Sequence, residues 1–118
     1  MSTADTARVA RAYFEAWSTR QGPEALRPLM AEDFTFVSGP TRIEGREAFL
    51  GAGAWPARAT TTMQAEAYDG DHAFQLYEAV NGFARVRIAE HLTIRDGRIV
   101  TSEIVGDQAA FQVFMGAG

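Results

Sequence analysis

Arg85-Val86-Arg87-Ile88-Ala89-Glu90-His91-Leu92-Thr93-Ile94-Arg95 alternates with a period of two, and Asp96-Gly97 follows it directly. Alternation sends neighbouring side chains to opposite faces of a strand, and Asp-Gly is a strong hairpin signal. The even positions from Ala84 through Val86, Ile88, Leu92 and Ile94 form an apolar face broken only by Glu90. The odd positions Arg85, Arg87, Ala89, His91, Thr93 and Arg95 form a basic and polar face. A strand over Phe83–Arg95 therefore turns one side to a core and the other to solvent or a second copy of the chain. An ionised carboxylate on a core face must find partners or take up a proton. Glu90 is thus either a structural carboxylate satisfied by a tyrosine or helix-end amides, or an acid–base group facing a cleft.

The same period continues on both sides. Strands are expected at Thr60–Tyr68, His72–Val80 and Arg98–Val105, separated by Asp69-Gly70, Asn81-Gly82 and Asp96-Gly97. A strict two-residue turn at Asp96-Gly97 would set Glu90 against Glu103. A three-residue loop, Arg95 to Gly97, instead pairs Leu92 with Val100, Glu90 with Ser102 and Ile88 with Ile104, which keeps apolar against apolar and is the preferred register. A similar loop over Val80 to Gly82 puts Leu76 beside Val86, Phe74 beside Ile88 and His72 beside Glu90, with Glu78 on the inner face near Ala84. His91 falls on the outer face.

The first part of the chain has a different rhythm. Val9, Tyr13 and Trp17, with Ala10 and Phe14 beside them, fall on one stripe of a helix from Thr6 to about Arg20, capped by Asp5 or Thr6. Gly22-Pro23 opens a short second helix with Leu26, Leu29 and Met30 as its apolar side, limited by Pro28. Asp33 to Ser38 reads as a strand carrying Phe34 and Phe36. Gly45 to Leu50 reads as a third short helix that ends in the Gly- and Pro-containing stretch Gly51 to Pro56. Asp107 caps a last amphipathic segment, Ala109 to Met115. Helices first and an antiparallel meander afterwards point to an α+β fold, helices on one face of a curved sheet.

The composition excludes much chemistry. The 118 residues carry 47% hydrophobic and 22% charged side chains, as in an ordinary globular chain, and the expectation is a single domain over 1–118. A formal net charge of −4 and no basic run argue against nucleic acid as a partner. No segment has the length of a membrane span, so no membrane partner is expected either. There is no Cys and no Lys, which removes disulfides, thiol nucleophiles, Schiff-base chemistry and a phosphate-loop lysine. With His72 and His91 as the two imidazoles, no multi-histidine metal centre is expected. Gly51-Ala52-Gly53 lacks the third glycine and the preceding strand of a dinucleotide fingerprint, and Ser38 and Ser102 lack a nucleophile-elbow context. No cofactor is expected. The Arg-for-Lys bias and the polar, helical start point to a cytoplasmic bacterial protein.

These elements, with Leu29-Met30-Ala31-Glu32-Asp33 closing the short helix, Gly45-Arg46-Glu47-Ala48-Phe49 opening the next, and Ile94-Arg95-Asp96-Gly97-Arg98-Ile99-Val100 in the meander, resemble the SnoaL-like members of the nuclear transport factor 2 superfamily. Ketosteroid isomerase, limonene-epoxide hydrolase and polyketide cyclases are relatives of that group. The resemblance spans nearly the whole chain. It implies a cone-shaped fold whose N-terminal helices and curved, mostly antiparallel sheet enclose an apolar pocket, and a homodimer through the outer sheet face. In ketosteroid isomerase a protonated carboxylic acid assists a tyrosine in an oxyanion hole. By resemblance Tyr13 matches that tyrosine, Glu90 matches that acid with Glu in place of Asp, and Ser38 stands where the general base would fall. The arginine of the epoxide-hydrolase pattern would fall at Ile88.

The expectation is a pocket for a small hydrophobic molecule. Glu90, Tyr13 and His72 are its candidate catalytic groups. Trp17, Phe34, Phe36, Ser38, Trp55, Ile88 and Ser102 are candidate substrate contacts. The corresponding function is an acid–base isomerase, cyclase or hydrolase acting on a carbonyl, epoxide or hydroxyl compound. The alternatives are a non-catalytic ligand-binding or accessory subunit, and an assembly protein that works through its outer sheet face.

Overall fold

The computed structural model describes residues 2–52, 58–82 and 84–117. Helix α1 spans Thr3–Ser18, followed by the short α2, Pro23–Leu26, and a 3-10 turn over Arg27–Leu29. Strand β1 covers Met30–Ser38, β2 covers Thr41–Glu44, and α3 covers Arg46–Gly51. The meander is β3 (Thr60–Asp69), β4 (His72–Val80), β5 (Arg85–Arg95) and β6 (Arg98–Gly106), and α4 (Gln108–Ala117) closes the chain. The six strands form one sheet in the order β2-β1-β6-β5-β4-β3. All neighbours are antiparallel except β1 and β6, which run parallel. Strand β2 was not anticipated. It returns from β1 through Gly39-Pro40, pairing Ser38 with Thr41. Among the described residues no helix is long and apolar enough to cross a membrane.

Helix α1 starts earlier than its hydrophobic stripe, because the Ser2 hydroxyl caps it by accepting from the Asp5 N–H. Thr6, expected as a cap, is instead fully buried inside the helix, where its Oγ1 donates to the Gly70 carbonyl at 2.6 Å. The Gly70 N–H in turn donates to Thr3 Oγ1 at 3.1 Å, so the β3–β4 turn is tied to the first turn of α1. Thr6→Val keeps the shape and removes the donor, leaving a carbonyl under the helix without its partner. The expected loss is about 1–2 kcal/mol of unfolding free energy in urea titrations. An unchanged midpoint would show that solvent replaces the bond.

Two register features govern what faces the core. Asp96 and Gly97 form a two-residue turn with φ of 51° and 77°, and Ile94 pairs with Ile99. One step further Thr93 pairs with Thr101, so Val100 is an extra residue on β6, a β-bulge. The bulge switches parity: Ile99 faces inward before it, Ser102 and Ile104 after it, and all three are buried. Glu90 therefore lies opposite Ile104 and Leu92 opposite Ser102, neither of the registers weighed from sequence.

The β4–β5 connection is also longer than expected, running from Val80 to its partner Arg85. It is held by Asn81, whose side chain accepts from the Ala84 N–H at 2.8 Å and donates to the Phe114 carbonyl at 3.1 Å. The three-residue change in register reverses the faces of β4. Ala73, Gln75, Tyr77 and Ala79 turn inward and are buried. His72, Phe74, Leu76 and Glu78 turn outward, and Glu78 pairs there with Arg85 at 2.9 Å instead of facing the core.

The core has two connected parts. One joins Val9, Ala10 and Tyr13 of α1 to Met30 and Phe34 of β1 and to Leu92, Ile94 and Ile99 of the meander. The other gathers Tyr77, Ala79, Val86, Ile88 and Ile104 under Phe114 of α4. The Asp107 cap of α4 is present, accepting from the Ala110 N–H at 3.1 Å.

Candidate functional site

Alternation along β5 carries Glu90 to the inner face, where its side chain meets two hydroxyl groups. Tyr77, on the neighbouring β4 and two residues along from Gln75, the direct partner of Glu90, donates its hydroxyl to Glu90 Oε1 at 3.1 Å. Ser102 on β6 donates to Glu90 Oε2 at 2.5 Å, reaching diagonally because the bulge sets it beside Leu92. Glu90 is only 5% exposed. Burial raises its pKa above the ordinary glutamate value, and the bonds from Ser102 and then Tyr77 oppose that rise.

Helix α1 lays Tyr13 over the same spot. Its pKa is raised well above the ordinary tyrosine value, first by burial and then by the charge of Glu90. Tyr77 responds in the same way, with its bond to Glu90 and the neighbouring Tyr13 as further causes. Both tyrosines therefore stay protonated and can only donate or accept as neutral hydroxyls. They differ in one respect. Tyr77 spends its proton on Glu90, whereas the Tyr13 hydroxyl makes no hydrogen bond among the described residues.

These groups form the polar end of a cavity of about 690 Å³, a volume typical of a small-molecule site. Its walls come from α1, the β1–β2 hairpin, α3, the inner sheet face and α4. Trp17, Phe36 and Ser38 line it, together with Glu90 and Tyr13. Trp17 packs against Tyr77 with ring centroids 5.0 Å apart, which helps hold the tyrosine toward Glu90. Phe111, Gln108 and Gln112 of α4 complete the cavity lining.

The remaining candidates stand elsewhere. Phe34 is fully buried in the core against Phe49, and Ile88 is buried under α4; neither reaches the cavity wall. Ser102 is fully buried behind Glu90 and touches the cavity only through it. His72 is on the outer face, a consequence of the reversed parity of β4. Its Nδ1 lies 2.9 Å from Nε2 of His91, far from any role beside Glu90. Trp55 lies outside the described residues. Among the described residues no three His, Cys, Asp or Glu side chains stand close enough to hold a metal ion.

Sequence reasoning missed Tyr77. Its strand carries an aromatic and an aliphatic residue on even positions, the pattern of a core face, yet Phe74 and Leu76 lie outside. The small residues Ala73 and Ala79 flanking Gln75 and Tyr77 were the available signal, since a strand beneath tightly packed helices favours small inward side chains. The contributions of α4 were equally hidden, because nothing local says over which part of the sheet a C-terminal helix folds.

Residues 10–102 match the sequence model of the SnoaL-like domain. No curated protein matches the sequence. Among solved structures, the chain is similar to a protein of Kribbella flavida DSM 17836 assigned as a ketosteroid isomerase, with 25% identity and a TM-score of 0.82 over 89% of this chain and 79% of that one. A protein of Jannaschia sp. CCS1 assigned as a SnoaL-like polyketide cyclase has the same fold, with 16% identity and a TM-score of 0.82 over 95% and 92% of the two chains. An epoxide hydrolase of M. tuberculosis, of the limonene-epoxide hydrolase-like type, also shares it, with 18% identity and a TM-score of 0.72 over 97% and 92%.

Proposed function

The chain belongs to the SnoaL-like domain family, and from that premise and the chemistry of its cavity we propose that it is an acid–base enzyme of the isomerase, cyclase or hydrolase type, acting without a cofactor on a small hydrophobic carbonyl, epoxide or hydroxyl compound. The observation that carries this reading is Glu90: a buried carboxyl of raised pKa on the wall of an apolar cavity, beside a tyrosine hydroxyl with no protein partner among the described residues. A carboxyl with a pKa moved toward neutrality can both give and take a proton at working pH. In its acid form Glu90 protonates a substrate oxygen as negative charge develops there, and Tyr13 donates a hydrogen bond to the same oxygen. The resulting carboxylate is stabilised by Tyr77 and Ser102 and recovers its proton from the substrate's carbon or from water. Tyr77 and Ser102 are positioning residues in this scheme.

Ser38 supports the second reading, a non-catalytic ligand carrier. It is buried at the cavity wall, at the position where the family resemblance would set a general base, and a serine hydroxyl is not one. The two readings separate on incubation of the protein with a panel of cyclic ketones, epoxides and polyketide-like alcohols, followed by mass and chiral analysis. Enzyme-dependent conversion supports the first; a ligand retained tightly and recovered unchanged supports the second.

The proposed homodimer uses the outer sheet face. Phe74 and Val105 are 47% and 65% exposed there, and Phe74 stacks on His91 with ring centroids 4.8 Å apart. With Leu76 and Ala89 they line a shallow apolar groove of the kind that a second sheet covers. Val105→Asp is expected to convert a dimer to a monomer at micromolar concentration in sedimentation velocity. A wild-type monomer under the same conditions would remove the proposal.

A further inference from the structure

Helix α1 ends in a motif that normally asks for glycine. The Arg20 N–H donates to the Trp17 carbonyl at 3.2 Å and the Gln21 N–H donates to the Ala16 carbonyl at 2.9 Å. This pair of bonds defines a Schellman motif, and the residue in the left-handed position, with φ of 56°, is Arg20. Glycine takes that conformation without steric penalty and arginine does not. A residue that contradicts its local backbone is a sign that its side chain is needed.

Arg20 is exposed and forms part of the cavity lining. Arg20 is the one cation, and Glu90 the one carboxylate, among the described residues lining it. Arg20 forms no ion pair among the described residues. Its Nη1 donates instead to the main-chain carbonyls of Ser18 at 3.3 Å and Ala59 at 3.2 Å. Those bonds hold the guanidinium in place while leaving Nε and Nη2 without partners among the described residues. Tyr13 and Arg20 are separated by seven positions along α1 and its terminal turn, which sets their backbones about 10 Å apart along the helix direction.

We infer that Arg20 binds a carboxylate of the substrate, and that the substrate class is an amphipathic acid whose apolar body fills the cavity while its reacting oxygen lies against Glu90 and Tyr13. This deepens the proposed function and rests on the cavity being a ligand site. A planar guanidinium whose Nε–H and Nη2–H edge is open suits a carboxylate, with bonds stronger than those to a neutral ester.

The test compares 4-cyclohexylbutanoate with its methyl ester by isothermal titration calorimetry, on wild type and on Arg20→Gly. Arg20→Gly suits the left-handed position, so the variant is expected to fold with an unfolding temperature at or above that of wild type. Wild type should bind the acid about tenfold or more tightly than the ester, as a hydrogen-bonded charge pair requires. In Arg20→Gly the preference should vanish while ester affinity stays the same. Equal binding of acid and ester by wild type, or an acid preference that survives in Arg20→Gly, overturns the inference and leaves the acid–base reading intact. Failure of wild type to bind either probe overturns both.

Discussion

Glu90→Gln is expected to lower turnover by about 10²–10⁴-fold, the range that general acid–base assistance supplies. The same change is expected to raise the unfolding free energy at pH 7 by about 0.5–2 kcal/mol, the usual margin when a residue kept for activity is replaced. The opposed directions follow from one cause. Burial raises the pKa of Glu90 in the folded chain above its value in the unfolded chain. The native state then holds a proton that the unfolded state releases, so stability falls as pH rises through that interval. Whatever Glu90 contributes is fully present below the unfolded glutamate pKa, 4.5, and is lost as pH climbs through the raised folded value. Glutamine keeps the shape and has no proton to lose. Urea titrations should therefore give wild type and variant similar stability near pH 4, with the variant pulling ahead toward pH 7. A variant that is less stable at both pH values would mean that the bonds from Tyr77 and Ser102 exist to hold the fold, and Glu90 would become a structural residue.

The two tyrosines around Glu90 should separate cleanly. Tyr13→Phe removes a hydroxyl with no protein partner among the described residues, so its unfolding midpoint should stay near that of wild type. Its kcat should nevertheless fall about 10²–10³-fold, as for loss of a donor aimed at developing charge. Tyr77→Phe removes a donor that is bonded to Glu90 Oε1. Loss of a bond to the ionised form raises the Glu90 pKa further, and the limb of the pH–rate profile governed by Glu90 should move to higher pH. That limb should not move in Tyr13→Phe. Ser102→Ala should move it in the same direction as Tyr77→Phe and further, because the Ser102 bond is the stronger of the two opposing the rise. A Tyr13→Phe enzyme with wild-type kcat would remove Tyr13 from the reaction and leave Glu90 acting alone.

The residues that could be read in advance are those whose direction depends on their own strand or helix. Glu90 turned inward because Val86, Ile88, Leu92 and Ile94 turned inward with it, and no neighbour was needed to say so. Tyr13 and Trp17 shared a helical stripe for the same reason. The sheet's extent and the short helices also followed from turn residues and spacing, although β2 and the Ser2 cap did not. His72 shows where this reasoning stops. Its face depended on whether the connection was the three residues Val80 to Gly82 or the four from Asn81 to Ala84, and a register change of odd length turns every side chain of β4 over.

The α+β architecture, the inward carboxylate and the apolar character of its surroundings were thus present in local periodicity, which short-range sterics enforce within one element. Which groups meet that carboxylate was a matter of register and packing between elements. The Asn81 bonds to Ala84 and to α4, together with the bulge at Val100, brought in Tyr77 and Ser102 and sent His72 outside. Cross-strand hydrogen bonds couple residues that no periodicity along the chain connects, so the partners of Glu90 came into view only when the strands were assembled.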